Sequence, residues 1–289
     1  MTTRQRFREL IKQDGCIMVP GAYDCMSARI IQSLGFDAID ITGFGVEASR
    51  LGQPDLGLAS MSEVIDQAWS IARSVSVPVI ADADTCYGGL VNVARTIRAF
   101  ETVGIAGIHM EDQITPKKCG AMAGKQIIST QEMVAKIKVA RDTLDDKDFI
   151  VIGRCDGKYL GKDEVKRRLN AYLEAGSDLI MLGDDYEVED LRDFGAEFFG
   201  KLYLVTGVFS TVPMCMPVSE YAAMGYKAVA YPVVGFLAAA KAIHDVYEPI
   251  MRNKGLSPEE HMQRCMPNKR VNELLEIDKW LSLERFMEQ

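Results

Sequence analysis

Eight short runs of aliphatic and β-branched residues recur along the chain, each followed by a stretch of helical period. They are Ile17-Met18-Val19, Ala38–Thr42, Pro78–Ala81, Ile105–Met110, Phe149–Ile152, Asp178–Leu182, Lys201–Thr206 and Ala228–Val233. The runs are nearly continuous rather than alternating, as expected of strands buried on both faces of a parallel sheet. Helix signals lie between them. Ser60-Met61-Ser62-Glu63 and Ser129-Thr130-Gln131-Glu132 read as capping boxes. Lys162-Asp163-Glu164 opens a helix that Gly176 closes, and Met224–Lys227 reads as a helix stop before a strand. Eight alternating units predict an α/β fold, a (β/α)8 TIM barrel. A doubly wound open sheet would share the alternation, but no GxGxxG or GxxxxGK follows any run.

Beyond the eighth run lie a helix (Phe236–Met251), a break at Lys254-Gly255 and a charged tail (Pro258–Gln289). The tail carries Val271, Leu274, Leu275, Ile277, Trp280, Leu281, Leu283 and Phe286, too amphipathic for disorder. The reading is one barrel domain over 1–289. Its helical extension, from about 236 to 289, packs on a neighbouring subunit or on the barrel wall.

Charge and cysteine usage exclude several classes. There are 33 Lys and Arg against 41 Asp and Glu, a net charge of −8, and no basic run of five. That argues against nucleic acid and against an anionic membrane surface as partners. Seven cysteines, an odd number without CxxC spacing, and three histidines argue against a disulfide framework or a structural zinc site. The first residues, MTTRQRFREL, read as an amphipathic helix rather than a signal peptide, and no apolar run approaches membrane-spanning length. The expectation is a soluble protein of a reducing cytoplasm.

In a barrel, chemistry collects where strands end and loops begin. The second run ends in Thr42-Gly43-Phe44, the third in Asp82-Ala83-Asp84-Thr85, the fourth in His109-Met110-Glu111-Asp112-Gln113 and the fifth in Arg154-Cys155-Asp156. Asp82 and Asp84, two apart on an extended segment, would project from one face and share one partner. Like charges so close call for a cation. An oxygen-rich site with few protein ligands suits Mg²⁺ or Mn²⁺, with Glu111 completing it directly or through water. The plainer reading makes these acids loop carboxylates capping helices. Arg154 has the fork geometry for a carboxylate ligand, or for a structural ion pair with Asp156 or Asp178. His109 reads as a satisfied supporting group rather than a ligand. In the loop Pro116–Lys125, Cys119 is flanked by lysines, a field that favours thiolate and makes the thiol a competent acid near neutral pH. Such a loop could close over substrate and exclude water. An incidental surface cysteine is the bland alternative.

These residues resemble the isocitrate lyase/phosphoenolpyruvate mutase superfamily over essentially the whole chain. The likeness is carried by Pro20-Gly21-Ala22-Tyr23-Asp24, Thr42-Gly43-Phe44-Gly45, Gly52-Gln53-Pro54-Asp55, Ala81-Asp82-Ala83-Asp84-Thr85, His109-Met110-Glu111-Asp112-Gln113 and Lys117-Lys118-Cys119-Gly120. The resemblance implies a barrel whose eighth helix is swapped between subunits, usually in a tetramer. It implies Mg²⁺ held by Asp82, Asp84 and Glu111, partly through water. It implies a substrate carboxylate bound by Thr42, Gly43, Phe44 and Arg154, with Gly120 beside it. The loop with Cys119 is similar to that of the carbon–carbon lyases rather than the phosphonate enzymes. The implied reaction is retro-aldol cleavage of a 2-hydroxy dicarboxylate. Cys119 would be the acid, Lys117 a further member of the catalytic loop, and Tyr23 or Asp55 the base.

Departures from the family pattern refine the substrate. Ala121 stands where a histidine is usual, and Gly183 then Asp184 where a glutamate is usual. Val205 and Val208 replace an asparagine and a glutamate, and Met214, Cys215 and Met216 follow. Burying a third carboxylate against apolar side chains would cost several kcal/mol. The expectation is therefore an alkyl-substituted malate, with 2,3-dimethylmalate cleaved to pyruvate and propionate as the best fit. The alternatives are a 2-methylisocitrate lyase, an oxaloacetate hydrolase or decarboxylase, and, in another class, an inactive binding protein.

Overall fold

The structure, a computed structural model of the chain, describes residues 1–206 and 216–284. Eight parallel strands close into a barrel in sequence order. They are β1 (Ile17–Ala22), β2 (Ile39–Ile41), β3 (Val79–Asp82), β4 (Gly107–Glu111), β5 (Ile150–Cys155), β6 (Leu179–Leu182), β7 (Leu202–Val205) and β8 (Tyr226–Tyr231). Strand β1 pairs with both β2 and β8, so the sheet has no free edge and the open-sheet alternative is excluded. Every predicted run contributes a strand. Boundaries moved by up to three residues, because side-chain pattern does not specify where pairing starts.

The helix signals act as capping chemistry requires. Ser60 accepts from the Glu63 backbone N–H and Glu63 reaches back, a full capping box. Ser129 accepts from Glu132 N, but that box has no reciprocal half. Gly225 takes φ +96 at the end of the helix Val218–Met224, turning the chain directly into β8.

The apolar residues form two clusters. One fills the layer between the strands and the surrounding helices. The other lies inside the barrel and includes Val19, Ile80, Ile152, Met181 and Tyr203. Phe7, on the N-terminal helix Thr3–Leu10, is fully buried in that inner cluster and plugs the bottom of the barrel. That burial contributes about 1.5–3 kcal/mol. Arg4 and Arg8 fasten the same helix, donating to Ile105 O at 2.9 Å and to Asp178 at 3.1 Å. Asp178 also pairs with Arg141, so it is not the partner of Arg154.

The chain divides into two compact units, Met1–Val234 and Gly235–Gln289. The first is the barrel. In the second lie the long helix Val234–Asn253, which starts at the boundary, and the helices Pro258–Arg264, Asn268–Leu274 and Ile277–Glu284. Lys254, at φ +56, marks the expected break. Leu237, Ile243, Tyr247, Met251, Met262, Trp280 and Leu283 are exposed in this unit. No helix among the described residues is long and apolar enough to cross a membrane.

One buried acid ties the catalytic half of the barrel together. Asp112, after β4, accepts from Asp156 N at 2.9 Å, Tyr172 OH at 2.6 Å and Arg168 Nη1 at 3.2 Å. Removing the cation would leave a buried carboxylate uncompensated, a change that costs about 3–5 kcal/mol. Arg168→Met should therefore lower the melting temperature by roughly 10 °C. Calorimetry giving an unchanged melting point would show that the pair contributes nothing.

Candidate active site

Register brings the polar strand ends to one rim. Asp82 stands beside His109, Glu111 beside Arg154, and Arg154 beside Met181 on the next strand. After β2 the chain turns into a short helix, Gly43–Val46, capped by Thr42 accepting from Gly45 N at 3.3 Å. A side chain at Gly43 would place its Cβ 2.8 Å from Asp82 Oδ2, so glycine leaves room there for that carboxylate. Glu47 accepts from Leu56 N and Ala59 N, each at 3.1 Å, and so holds the loop that carries Asp55.

A cavity at the rim is lined by Thr42, Phe44, Asp55, Asp82, Cys119, Gly120, Arg154 and Val205 among the sequence candidates. Asp40, His109, Met181, Gly183, Pro232 and Val233 complete it. Tyr23, Gly43, Asp84, Glu111 and Lys117 are not part of the lining. Val208, with Met214 and Cys215, lies outside the described residues.

Charges around the cavity follow one rule. Lys117 meets Asp55 and Asp84, the latter at 2.9 Å. Arg154 meets Asp156 at 2.8 Å and Glu111 at 3.0 Å. Lys125 meets Asp156 at 3.1 Å and also Asp184. His109 meets Asp40 at 3.2 Å and Asp82 at 3.4 Å. Each of these four cationic or potentially cationic groups is thus met by two carboxylates, and the rim carries a surplus of negative charge. Burial drives the pKa of Glu111 well above the ordinary glutamate value even with Arg154 alongside. Burial likewise raises Asp84 to about 6 against the pull of Lys117. It works to raise Asp82 too, but His109, Lys117 and Arg154 hold that carboxyl below its usual value.

These acids fit a hard divalent cation. The donors are carboxylate oxygens, the charge surplus favours a positive ion, and Asp82 Oδ2 has a cleared face at Gly43. Among the described residues no three His, Cys, Asp or Glu side chains form a ready-made ligand cluster.

Two sequence readings need correction. Asp82 and Asp84 do not share a side-chain partner within the protein. Asp84 has φ +47, so the chain is no longer extended there. Asp84 N donates to Asp82 Oδ1 at 3.0 Å, while the carboxylates turn to His109 and Lys117 respectively. The lysines flanking Cys119 also do not create a thiolate. Lys117 is taken by Asp55 and Asp84, and Lys118 donates to Gly124 O at 3.0 Å. Burial, then the charge of Asp55, push the Cys119 thiol up to about 11, so it is protonated at neutral pH. Cys119 is 7% exposed, which also removes the reading of an incidental surface cysteine.

The loop is closed onto the rim. Lys125 Nζ donates to Gly120 O at 2.7 Å and Gly183 O at 3.3 Å as well as to its acids. A Cβ on Gly120 would stand 2.7 Å from Gly183 O and 3.1 Å from Arg154 Nη2, so only glycine allows that approach. Gln113 receives from Lys118 N at 3.0 Å and donates to Lys118 O at 2.8 Å. Arg154 uses its Nε and Nη2 on Asp156, the ion pair that its position had left open, yet still faces the cavity. His109 is only half the satisfied supporting group expected: Nε2 is hydrogen-bonded with Asp40 at 3.2 Å, while Nδ1 lies 3.4 Å from Asp82 without a hydrogen bond. Sequence reasoning passed over Asp40, Lys125 and Glu47. Asp40 alone left a signal, a charge inside the apolar run that became β2.

A closed parallel barrel with buried acids, a guanidinium and a protonated thiol at the carboxyl ends of its strands is the architecture of a TIM-barrel enzyme. The chain belongs to the phosphoenolpyruvate phosphomutase family, whose model matches residues 7–251, within the PEP mutase/isocitrate lyase superfamily. A 2,3-dimethylmalate lyase of Eubacterium barkeri is 41% identical over 248 residues, covering 86% of each chain. A crystal structure of a 2,3-dimethylmalate lyase superposes with TM-score 0.88 at 32% identity, over 99% of this chain and 96% of that one. The phosphoenolpyruvate phosphomutase of Streptomyces platensis superposes with TM-score 0.92 at 29% identity, over 99% of both.

The thiol assignment has a direct readout, because only the thiolate alkylates. Peptide-resolved reaction of Cys119 with iodoacetamide should keep rising up to about pH 10 without a plateau. Asp55→Asn should shift the profile to lower pH, since it removes a charge that raises the thiol. A plateau near pH 8 in the unaltered protein would contradict the assignment.

Proposed function

We propose that this enzyme is a Mg²⁺-dependent carbon–carbon lyase that cleaves 2,3-dimethylmalate to pyruvate and propionate. One observation carries the reading. A protonated cysteine, an arginine and a carboxylate-rich rim open onto the same cavity as an apolar wall made by Met181, Val205, Pro232 and Val233. Phosphonate chemistry would give Cys119 nothing to do. The named 2,3-dimethylmalate lyase relative supports the choice among lyases.

Asp82, Asp84 and Glu111 would hold Mg²⁺, or Mn²⁺ in its place, in part through water. When bound, the ion supplies Lewis acidity and neutralises developing negative charge. Arg154 and the turn Thr42-Gly43-Phe44 hold a substrate carboxylate, the guanidinium having five N–H donors of which Asp156 engages two. Of the two candidate bases, Asp55 lines the cavity and Tyr23 does not, so Asp55 takes the proton from the C2 hydroxyl. The C2–C3 bond then breaks, leaving a 2-oxo acid and the aci-carboxylate of propionate. Cys119 gives its proton to that carbanion at carbon. The Asp55 carboxylate is a side-chain hydrogen-bond partner of the Cys119 thiol, so the proton on Asp55 can return to the thiolate and close the cycle. Lys117 stays cationic: burial would lower its pKa, but the surrounding carboxylates carry it well above the ordinary value. It therefore positions Asp55 rather than moving a proton. The closed loop Pro116–Lys125 excludes water that would otherwise quench the carbanion.

The exposed apolar residues of the second unit support packing against a neighbouring subunit in a homotetramer, with the eighth helix exchanged. The six described cysteines are all free, in keeping with a reducing cytoplasm.

The test is a panel of 2-hydroxy and 2-oxo acids with Mg²⁺, read as 2-oxo acid release. 2,3-Dimethylmalate should be turned over and 2-methylisocitrate and oxaloacetate much more slowly. Chelation should abolish the activity, and Cys119→Ser should reduce kcat by about 10²–10⁴-fold. Turnover of 2-methylisocitrate with no product from 2,3-dimethylmalate would overturn the proposal.

A further inference from the structure

A polar floor lies beneath the apolar wall of the cavity, and the lyase reading does not use it. The interior of a TIM barrel is ordinarily packed with branched aliphatic side chains. Here β2, β4 and β7 send in Asp40, His109 and Tyr203. Asp40 is 1% exposed and lines the cavity. Its Oδ1 lies 3.2 Å from His109 Nε2, and its Oδ2 accepts from Tyr203 OH at 3.1 Å. Tyr203 reaches Asp40 from across the barrel and is fully buried. On β7 it stands two residues before Val205, and beside it on β6 is Met181. Asp40 is therefore set against the end of the cavity that Val205 and Met181 wall.

We infer that Asp40 is a specificity-determining residue. Its carboxylate, set into the cavity floor, rejects a substrate arm ending in a carboxylate and admits an uncharged one. The inference rests on the lyase reading and deepens it. A buried carboxylate is costly to keep unless hydrogen-bonded, and a leucine would fill a barrel layer without that cost. Asp40 has its two partners, and each carboxylate oxygen retains a further lone pair. An arm that is alkyl, or that ends in a hydroxyl donor, meets no repulsion there.

Among the described residues, no cation that lines the cavity or its rim is free of acidic partners to neutralise a third substrate carboxylate. Lys117, Lys125 and Arg154 are each already met by two carboxylates. The His109 imidazole carries at most one positive charge between Asp40 and Asp82. The apolar wall alone would tolerate a mobile carboxylate that kept a shell of water. A fixed negative charge beneath that wall removes this escape, so the discrimination belongs to the chain's own electrostatics as well as to its missing donors.

The experiment compares kcat/KM for 2,3-dimethylmalate and 2-methylisocitrate in the full-length Mg²⁺-loaded protein and in Asp40→Asn and Asp40→Ser. In parallel, calorimetry measures two unreactive ligands, ethylsuccinate and tricarballylate, which differ in an alkyl against a carboxylate arm. Removing the charge should move the tricarboxylate-to-dicarboxylate ratio toward the tricarboxylate by on the order of 30-fold, from like charges about 8 Å apart at an effective dielectric near 20. The change should fall mainly in KM for the substrates and in Kd for the ligands. Two neutral replacements of different size separate charge from shape, and melting curves identify a variant that has not folded. Ratios within about twofold of the unaltered protein in a folded variant, by both readouts, would overturn the role of Asp40. Absence of 2-oxo acid release from any alkylmalate by the unaltered protein would instead overturn the lyase reading, and the ligand-binding ratio would still decide the charge effect.

Discussion

Closing eight parallel strands into a barrel puts all their carboxyl ends on one rim, and every feature of the candidate site follows from the charge collected there. Four groups that can be cationic, Lys117, Lys125, His109 and Arg154, are each set between two carboxylates. This is a bracing arrangement as much as an electrostatic one. Arg154 joins β5 to Glu111 at the end of β4. Lys117 joins the catalytic loop to β3 through Asp84 and to the preceding loop through Asp55. Lys125 pins the far end of the same loop to the residues after β5 and β6. Buried pairs of this kind are weak sources of net stability, since desolvation offsets most of the Coulomb gain. Their value lies in geometry, because breaking any one leaves a charge that the interior cannot solvate. The surplus of acid over base also makes the rim a place where a divalent cation is electrostatically welcome.

The fold was legible in the sequence because its signal is redundant. Eight apolar runs, each flanked by caps and stops, leave few alternatives, and closure follows from the number of units. The acids, the arginine and the loop cysteine were legible as well, since strand ends are recognisable and charges next to apolar runs stand out. Partnership was not legible. Asp82 and Asp84 look equivalent in the sequence, yet a single left-handed residue, Asp84 at φ +47, sends them to different cations. Asp40 interrupts an apolar run visibly, but its meaning depends on Tyr203, which lies 163 residues further along the chain. Lys125 is one of three lysines in a loop, and only the folded loop selects it as the one that reaches Asp156 and Asp184.

In the proposed reading, valine at family contact positions and a charged floor would be two expressions of one selectivity. An apolar wall withholds hydrogen bonds from a polar arm, which costs affinity because the arm's water is not replaced. A buried negative charge acts on the arm's charge and at longer range. Neither device would discriminate strongly alone. An apolar pocket separates substrates that differ in one group only modestly, whereas combining apolar contact with charge repulsion multiplies the two ratios. On the proposed reading, the cavity would distinguish dicarboxylates with an alkyl substituent from tricarboxylates without moving any residue of the reacting centre.

The position of Cys119 resolves an apparent conflict between its sequence neighbours and its chemistry. Two adjacent lysines suggest a nucleophilic thiolate, but a thiolate cannot protonate a carbanion. In the folded chain the lysines are drawn to other partners, and burial with the nearby Asp55 charge keeps the proton on sulfur. Carbon acids such as an aci-carboxylate are far more basic than a thiol even with its pKa near 11, so the transfer is downhill from this donor. In the proposed reaction the raised pKa would therefore cost little driving force and keep the acid loaded when the carbon–carbon bond breaks. The same closed loop that buries the thiol also excludes the water that would compete with it. Acid loading and water exclusion are accordingly two results of one packing arrangement, held by Lys117 at one end of the loop and Lys125 at the other.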